Sequence, residues 1–311
     1  MKVSINGLRI AVVGAGALGL YYGAMLQRGG NEVHFILRRD FEAIKADGLR
    51  VFSVNGDFHI QKVNGHGNAS EIGEVDLVLV GLKTFANHKF EELITPLLGE
   101  NTIILTLQNG LGNEEALASH FGAERIMGGV AFLCANRGKP GTVHHLGEGK
   151  IIIGEFSNDK TTRAEKLAAI FQKAAVTCSV VSELKRARWQ KLVWNIPFNG
   201  ICALMLKPVD ALLSHKETRK QIIDIMREVI EAGNAQGLKD KLEQSLAEKL
   251  ISFSEGLGSY KPSMLIDRIE NRQLELEAIF KIPIVEAMKK GVYMPKVEQL
   301  FAFLDLSENH N

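Results

Sequence analysis

The sequence predicts a doubly wound α/β domain followed by an all-α domain, and three observations support this. A glycine-rich segment at 14–19 follows an apolar strand pattern at 8–13 and precedes an apolar helix pattern. Later strand patterns such as 75–80 and 103–107 are almost continuously apolar, which suits a parallel sheet covered on both faces. After residue 182 strand patterns cease and helical periodicity fills the chain. We therefore expect two domains, 1–182 and 183–311.

Individual elements follow from the same periodicities. Strands are expected at 8–13, 33–37, 75–82, 102–107, 125–132, 141–145, 150–154 and 176–181, with a hairpin over 49–60. The hairpin turns at Asn55-Gly56, a pair that favours type I′ turns. Helices of the second domain are expected at 184–206, 216–236, 239–256 and 262–290. Pro197 and Pro283 fall inside two of them, and each should kink or split its helix.

Composition excludes several classes of protein. With 311 residues, 46% of them hydrophobic, and a formal charge of +1, the chain has no basic excess for nucleic acid and no polybasic segment for a membrane surface. Apolar runs are too short for a membrane span. Met1–Gly7 leads straight into the first strand pattern, so no signal peptide is expected. We expect a soluble, cytoplasmic protein.

The cysteines and histidines predict neither a disulfide framework nor a metal site. Cys134, Cys178 and Cys202 are far apart in the sequence and form no CxxC pair, which is typical of reduced thiols in the cytosol. His144 and His145 are neighbours on a predicted strand, so their side chains should point to opposite faces.

The glycine-rich segment is the strongest functional motif. It reads Gly14, Ala15, Gly16, Ala17, Leu18 and Gly19, the GxGxxG pattern of a Rossmann-type dinucleotide site. Gly14 permits the tight turn, Gly16 lets a pyrophosphate approach the backbone, and Gly19 lets the helix pack on the sheet. The phosphate would bind the free N–H groups of the helix that begins near Ala17.

Residues after the second strand bear on which dinucleotide is bound. An NAD-binding domain usually has Asp or Glu at the end of this strand, where the carboxylate accepts from a ribose hydroxyl. Here Arg38-Arg39 occupy that position, and a guanidinium suits the 2′-phosphate of NADP. Asp40 follows, and a shift of one residue would direct its carboxylate at the ribose instead. NADP is favoured over NAD.

Two polar residues follow predicted parallel strands, at the sheet edge where ligands bind. Lys83 suits a phosphate or carboxylate, and Asn109 suits a nicotinamide ribose or a substrate oxygen. Position alone also allows a solvated loop lysine and an ordinary Asn-Gly turn.

A polar stripe marks the first helix of the second domain. Lys191, Asn195 and Asn199 recur every four residues among apolar neighbours, so they share one face. Such a stripe needs a polar cleft or solvent, because burying these groups unsatisfied costs about 1–3 kcal/mol each. We expect the site in the cleft between the domains. Ser263 and Glu275 lie twelve residues apart on the last predicted helix, and each could instead be a local cap or a surface acid.

Taken together, these residues resemble the ketopantoate reductase (2-dehydropantoate 2-reductase) family over nearly the whole chain. The matching pieces are residues 14–19, Leu37-Arg38, Leu82-Lys83, residues 108–112, residues 189–192 with Asn195 and Asn199, Ser263-Met264 and Glu275. The resemblance implies a Rossmann domain, a helical domain like that of 6-phosphogluconate dehydrogenase, and NADPH-dependent reduction of a 2-oxo acid, typically ketopantoate to pantoate for pantothenate and coenzyme A synthesis.

The resemblance also implies a role for each residue. Lys191 would donate a proton to the substrate ketone oxygen. Asn195 and Asn199 would bind the hydroxyl and carboxylate region of the substrate, and Ser263 its carboxylate. Glu275 would contact the cofactor ribose and Lys191. The remaining cofactor contacts would be Arg38 at the 2′-phosphate, Lys83 and Asn109 on the nicotinamide side, and the backbone near Cys134.

Departures from the family pattern leave the substrate open. A further substrate-binding asparagine of the family is absent here, where the chain reads Lys207-Pro208-Val209-Asp210, and Pro197 between Asn195 and Asn199 is unusual. One alternative is a reductase of a different 2-oxo acid. Another is a non-catalytic NADP-binding redox sensor, although such a sensor needs no proton donor. Apolar residues on the last helices would suit a homodimer.

Overall fold

The structure, a computed structural model, describes residues 7–157 and 162–308. The expected run of Met1–Gly7 into the first strand therefore lies largely outside the described residues. The chain forms two compact units. The first comprises residues up to Gln108 together with Asn113–Leu184, and the second comprises Asn109–Gly112 together with the chain from Lys185 onward.

The first unit contains a single ten-stranded sheet. Its strands are β1 (Arg9–Val13), β2 (Glu32–Ile36), β3 (Leu49–Ser53), β4 (Phe58–Ile60), β5 (Asn64–His66), β6 (Val75–Val80), β7 (Leu98–Thr106), β8 (Ile126–Arg137), β9 (Thr142–Glu155) and β10 (Cys178–Val180). They lie in the order β4-β3-β9-β8-β7-β6-β1-β2-β5, and β10 pairs with β9.

Six strands form a parallel core in the order β5-β2-β1-β6-β7-β8. This is the 3-2-1-4-5-6 order of a dinucleotide-binding domain, with the order reversing between β1 and β6. The expected doubly wound α/β class is confirmed. The sheet as a whole is mixed, because β9 runs antiparallel to β8 and the β3–β4 hairpin joins the far side of β9. That hairpin is the one predicted around Asn55-Gly56.

Both faces of the parallel core are covered, as the apolar strands predicted. Along β1, Ile10 and Val12 belong to one hydrophobic cluster while Ala11 and Val13 belong to another. Because successive side chains of a strand point to opposite faces, the two clusters lie on the two sides of the sheet. The helices of this unit are α1 (Ala17–Arg28), α2 (Phe41–Asp47), α3 (Phe90–Ile94), α4 (Asn113–Phe121) and α5 (Thr162–Lys173).

The second unit is helical. Its helices are α6 (Leu184–Met205), α7 (Val209–Ser214), α8 (Lys216–Asn234), α9 (Leu246–Glu255), α10 (Ser263–Ile269), α11 (Ile282–Met288) and α12 (Pro295–Glu308). They share one hydrophobic core that includes Trp189, Phe198 and Phe280. Within the described residues, no helix combines the length and the apolar character that crossing a bilayer requires.

The helix expected over 262–290 is wrong as a single element. It is broken after α10 by residues without regular structure, and it resumes as a π-helix (Glu277–Lys281) that leads into α11. Asn271 at the break has a φ of +51°, which helical backbone does not allow. Pro283 does not split the helix, because the helical stretch continues past it, but the backbone has π-helical geometry just before the proline. Ser263 and Glu275 therefore do not share a helix.

Other boundaries also differ from expectation. The helix expected over 239–256 begins at Leu246, and α6 continues through Pro197 without being split. The strands expected at 141–145 and 150–154 are one strand, β9, which carries irregularities where it pairs with β8. Sequence periodicity also missed β5, α7 and α12.

Candidate active site

The three glycines of the 14–19 segment meet three different steric demands. Gly14 has a φ of +99°, and a Cβ on it would lie 2.4 Å from the backbone nitrogen of Leu82. A Cβ on Gly19 would lie 2.2 Å from the carbonyl oxygen of Gly14. A Cβ on Gly16 would meet no atom within 4 Å. The chain itself thus requires glycine at 14 and 19, whereas the space beside Gly16 is open to a ligand.

That open space lies at the N-terminus of α1. Gly16 is the N-cap of the helix and offers no side chain to the first N–H groups, and no acidic residue lies in the first turn. Free N–H groups and the positive end of the helix dipole attract an anion. Residues 14–18 are partly exposed, so a pyrophosphate can reach them. The residues present fit the dinucleotide that the motif predicts.

The loop after β2 contains Arg38 and Asp40, the two residues predicted as alternatives for the ribose end of the cofactor. Arg38 is exposed, and its guanidinium has no partner among the described residues. Asp40 is 2% exposed, forms an ion pair with Arg137 and accepts the N–H of Gly141 at 3.0 Å. A carboxylate bound in this way is not available to a ribose hydroxyl. The free charge at this position is the cation, which favours a 2′-phosphate.

Lys83 and Cys134 lie in the first unit at partly exposed positions. Lys83 comes three residues after β6 and caps a short 3₁₀-helix (Thr84–Lys89). Cys134 lies on β8 where the pairing with β9 becomes irregular. Both remain predicted cofactor contacts.

Lys191 on α6 is joined to Asn109 in the second unit. The ammonium of Lys191 donates to Oδ1 of Asn109 at 2.7 Å. Asn109 is held nearby because Leu111 donates its backbone N–H to the carbonyl of Ala278 at 2.9 Å. Gly110 makes this approach possible, since its φ is +82° and a Cβ would lie 2.3 Å from the same carbonyl oxygen. The predicted Asn-Gly turn therefore positions an acceptor for the lysine.

Burial changes the acidity of Lys191. Desolvation lowers the pKa of its ammonium from 10.5 to about 7, with the positive charge of Arg188 acting in the same direction and the negative charge of Glu275 in the opposite one. A proton donor works best when its pKa lies near the operating pH. Lys191 therefore has the acidity that suits general acid catalysis near neutral pH.

Asn195 lies one helical turn after Lys191 on the same face of α6. Its residue is only 5% exposed, yet its side-chain amide makes no hydrogen bond to any described residue. Its amide atoms are not among the fully buried polar atoms that lack a partner, so they keep some access to solvent. The amide is therefore poised to bind a ligand that supplies the missing partner.

Asn199, the third member of the stripe, is held differently. Its Oδ1 accepts the backbone N–H of Met264 at 3.1 Å and the hydroxyl of Ser263 at 3.3 Å. It thereby binds the start of α10 to α6, and Ser263 and Asn199 lie in contact. Asn199 is 2% exposed, and its oxygen already has protein partners.

Two charged residues complete the surroundings of Lys191. Glu275, in the segment before the π-helix, is 3% exposed, and Arg188, one turn before Lys191 on α6, is 4% exposed. Sequence reasoning missed Arg188. The signal was present, because a residue three positions before Lys191 shares its face of the helix.

The buried cysteines are not nucleophiles. Cys178 and Cys202 are buried, and desolvation raises the pKa of each thiol to about 12, so neither ionises at neutral pH. The described residues also contain no group of three or more histidine, cysteine or acidic side chains placed to hold a metal ion.

Comparison with known proteins agrees with this geometry. Residues 10–158 match the family model for "Ketopantoate reductase PanE/ApbA", and residues 183–308 match the model for its C-terminal part. The chain belongs to the ketopantoate reductase family. A 2-dehydropantoate 2-reductase of Nostoc sp. is 36% identical over 99% of this chain and 97% of its own length.

Solved structures share the fold of this chain. A 2-dehydropantoate 2-reductase from Geobacter metallireducens is 59% identical, with a TM-score of 0.96 over 96% of this chain and 100% of that chain. The ternary structure of a D-mandelate dehydrogenase with NADH and anilino(oxo)acetate is 25% identical, with a TM-score of 0.87 over 96% of this chain and 98% of that one. The same fold thus occurs in dehydrogenases named for different substrates.

Proposed function

We propose that this protein reduces 2-dehydropantoate to (R)-pantoate with NADPH, as its relatives' names describe. The main support is that two side chains share one face of α6. One is Lys191, whose pKa is about 7, and the other is Asn195, whose amide makes no hydrogen bond to any described residue. A lysine of this acidity donates a proton, and the amide binds a polar substrate. The family identity supplies the reaction.

The first unit would hold the cofactor. The pyrophosphate would lie at Gly16 and the N-terminus of α1, and Arg38 would bind the 2′-phosphate, since Asp40 is already paired. Lys83 and Asn109 would line the nicotinamide side, Glu275 would contact the cofactor ribose, and the backbone near Cys134 would make a further contact. When bound, NADPH supplies the hydride that reduces the ketone carbon.

Lys191 would perform the proton transfer. As the ketone carbon is reduced, negative charge develops on the oxygen, and a protonated ammonium stabilises that charge before giving up its proton. Both effects grow towards the transition state, so they raise the rate instead of merely tightening binding. Asn109 orients the ammonium through its 2.7 Å hydrogen bond, and the product is a neutral hydroxyl.

The charges around Lys191 suit an anionic substrate. The positive charge of Arg188 lowers the pKa of Lys191, and the negative charge of Glu275 raises it. The carboxylate of a 2-oxo acid would add a negative charge, and its arrival would raise the pKa of Lys191 and keep the proton on it. Asn195 and Asn199 would bind the hydroxyl and carboxylate region and Ser263 the carboxylate, while Oδ1 of Asn199 also fixes the start of α10.

The experiment is a substrate panel. Purified protein is mixed with NADPH and with 2-dehydropantoate, phenylglyoxylate, pyruvate or 2-oxoisovalerate, and the loss of NADPH absorbance is followed. Turnover of 2-dehydropantoate well above the others supports the proposal. Tight NADPH binding without any turnover would contradict it and favour a redox sensor.

Reduction of another 2-oxo acid is the second candidate, because the same fold belongs to a D-mandelate dehydrogenase. The chain also lacks the family asparagine near Val209, where α7 begins. Turnover of phenylglyoxylate in preference to 2-dehydropantoate would favour this candidate.

We also propose a cytoplasmic homodimer. Exposed apolar side chains on α11 and α12, among them Val285, Met288, Phe303 and Leu306, support self-association. Cys134, Cys178 and Cys202 form no disulfide, which suits a reducing compartment. Light scattering after gel filtration measures the assembly, and a monomer at micromolar concentration would contradict it.

A further inference from the structure

The segment that carries Glu275 has no regular structure of its own. It lies between the end of α10 at Ile269 and the π-helix that begins at Glu277. No ladder of backbone hydrogen bonds fixes its course, so individual contacts must do so. The position of the Glu275 carboxylate depends in part on those contacts.

Two sets of contacts hold the segment, one near each end. At the start, Arg272 donates its backbone N–H to the carbonyl of Asp267 at 2.7 Å and its Nε to Oδ1 of the same residue at 2.9 Å. At the end, the backbone N–H of Leu274 donates to Oε2 of Glu308 at 2.9 Å. Leu274 is the residue directly before Glu275.

Glu308 is itself held firmly. Its Oε1 pairs with the guanidinium of Arg268 at 2.7 Å, and Arg268 also donates to the hydroxyl of Ser307 at 2.7 Å. The side chains of Arg268 and Glu308 are 14% and 20% exposed, so the pair is largely shielded from solvent. One carboxylate thus connects α10, the end of α12 and the backbone beside Glu275.

The location of this acid is unfavourable for the helix alone. Glu308 is the last described residue of α12, and an acid near the C-terminal end of a helix is unfavourable because the helix dipole is negative there. Its bonds to Arg268 and Leu274 offset that cost. They join the C-terminal helix to the segment that carries Glu275.

We propose that Glu308 is a positioning residue that holds the Glu275 segment in place beside Lys191. The inference rests on the proposed function, because it takes Lys191 as the proton donor. Without the Glu308 carboxylate, the N–H of Leu274 loses its acceptor and the segment can move. The negative charge of Glu275 would then oppose the desolvation of Lys191 less effectively, and the lysine would lose its proton at a lower pH.

The test compares the pH dependence of kcat/KM in four proteins: the unaltered chain, Glu308→Ala, Glu308→Gln and Glu248→Ala. The last is the control, since Glu248 forms an exposed ion pair with Arg227 in the same unit. In E308A we expect the alkaline fall of kcat/KM to move down by roughly half a pH unit or more. E308Q keeps an acceptor oxygen for Leu274, so its profile should lie between those of E308A and the unaltered chain.

The outcomes separate this inference from the proposed function. If the unaltered chain reduces no 2-oxo acid, the proposed function fails first. If it is active and E308A loses activity equally at every pH, Glu308 has only a structural role and the inference is wrong. Should E308A not fold, Arg268→Gln frees the Glu308 carboxylate from its ion pair and must move the profile in the same direction. An unmoved profile in R268Q would then overturn the inference.

Discussion

The ammonium of Lys191 lies 2.7 Å from Oδ1 of Asn109, a residue three positions beyond the end of β7. The amide oxygen has no charge, so it orients the lysine without stabilising the charged form as a carboxylate would. The lysine can therefore be held in a fixed direction for proton transfer while desolvation keeps its pKa near 7. Orientation and acidity are supplied by different groups, and this arrangement suits a general acid.

Replacing Lys191 with methionine should abolish most of the activity and leave cofactor binding intact. Methionine keeps the bulk of the side chain but supplies no proton and no charge, so we expect kcat to fall by about 10²–10⁴-fold. The Kd for NADPH, measured by fluorescence titration, should change less than about threefold. Lys249→Met is the control, because Lys249 is an exposed lysine of the same unit. A near-normal kcat in K191M would remove Lys191 from the mechanism.

The rate of reduction should fall at alkaline pH, because Lys191 acts as a proton donor. Lys191 must be protonated to act, and in the free protein its pKa is about 7, so kcat/KM for reduction should fall as the pH rises through about 7. Binding of an anionic substrate raises that pKa, so the fall of kcat should occur at a higher pH. Steady-state measurements of kcat and kcat/KM between about pH 5.5 and about pH 9.5 locate both falls. A kcat/KM that rises across this range contradicts the assignment.

Asn195 and Asn199 should behave differently although both lie on one helix face. Asn195→Ala removes an amide that has no protein partner, so the thermal midpoint should hold while kcat/KM falls about 10- to 100-fold. Asn199→Ala removes the acceptor of Met264 and Ser263, so it should destabilise the fold by about 1–3 kcal/mol. Thermal unfolding and kinetics on both variants make the comparison. Equal loss of stability in both would contradict it.

Sequence reasoning worked where a residue's role is encoded locally. The GxGxxG turn, the alternating faces of β1 and the spacing of Lys191, Asn195 and Asn199 all follow from short-range geometry. The fold class and the family followed from them.

Sequence reasoning failed where tertiary contacts decide the structure. The strand Asn64–His66 has little strand propensity and exists because it pairs with the edge of β2, where His34 and His66 also contact at 3.0 Å. The segment before Glu275 makes a hydrogen bond to Glu308, which lies 34 residues further along the chain, and no local pattern connects the two. The lowered pKa of Lys191 likewise results from burial, which the spacing of residues in the sequence does not reveal.

Cofactor preference should depend on Arg38 and not on Asp40. Arg38→Ser removes the exposed cation, so NADPH affinity should fall about 10- to 100-fold while NADH affinity holds. Asp40→Asn leaves Arg137 without its anionic partner and should lower stability, but it should not change the ratio of the two affinities. Titrations with both nucleotides give that ratio for each variant. If D40N changes the ratio of NADPH to NADH affinity, Asp40 and not Arg38 contacts the ribose end of the cofactor.

The glycines at 16 and 19 should separate ligand binding from folding. In Gly19→Ala the new methyl would lie 2.2 Å from the Gly14 carbonyl oxygen, so α1 must shift and the thermal midpoint should fall. In Gly16→Ala the methyl meets no protein atom, so the fold should keep its stability. It would nevertheless stand where the pyrophosphate approaches the N-terminus of α1, so NADPH affinity should fall by about tenfold or more. Unfolding curves with and without NADPH measure both effects, because a bound cofactor raises the midpoint by an amount that grows with its affinity. If G16A keeps the full NADPH-induced rise, the pyrophosphate does not bind at this turn.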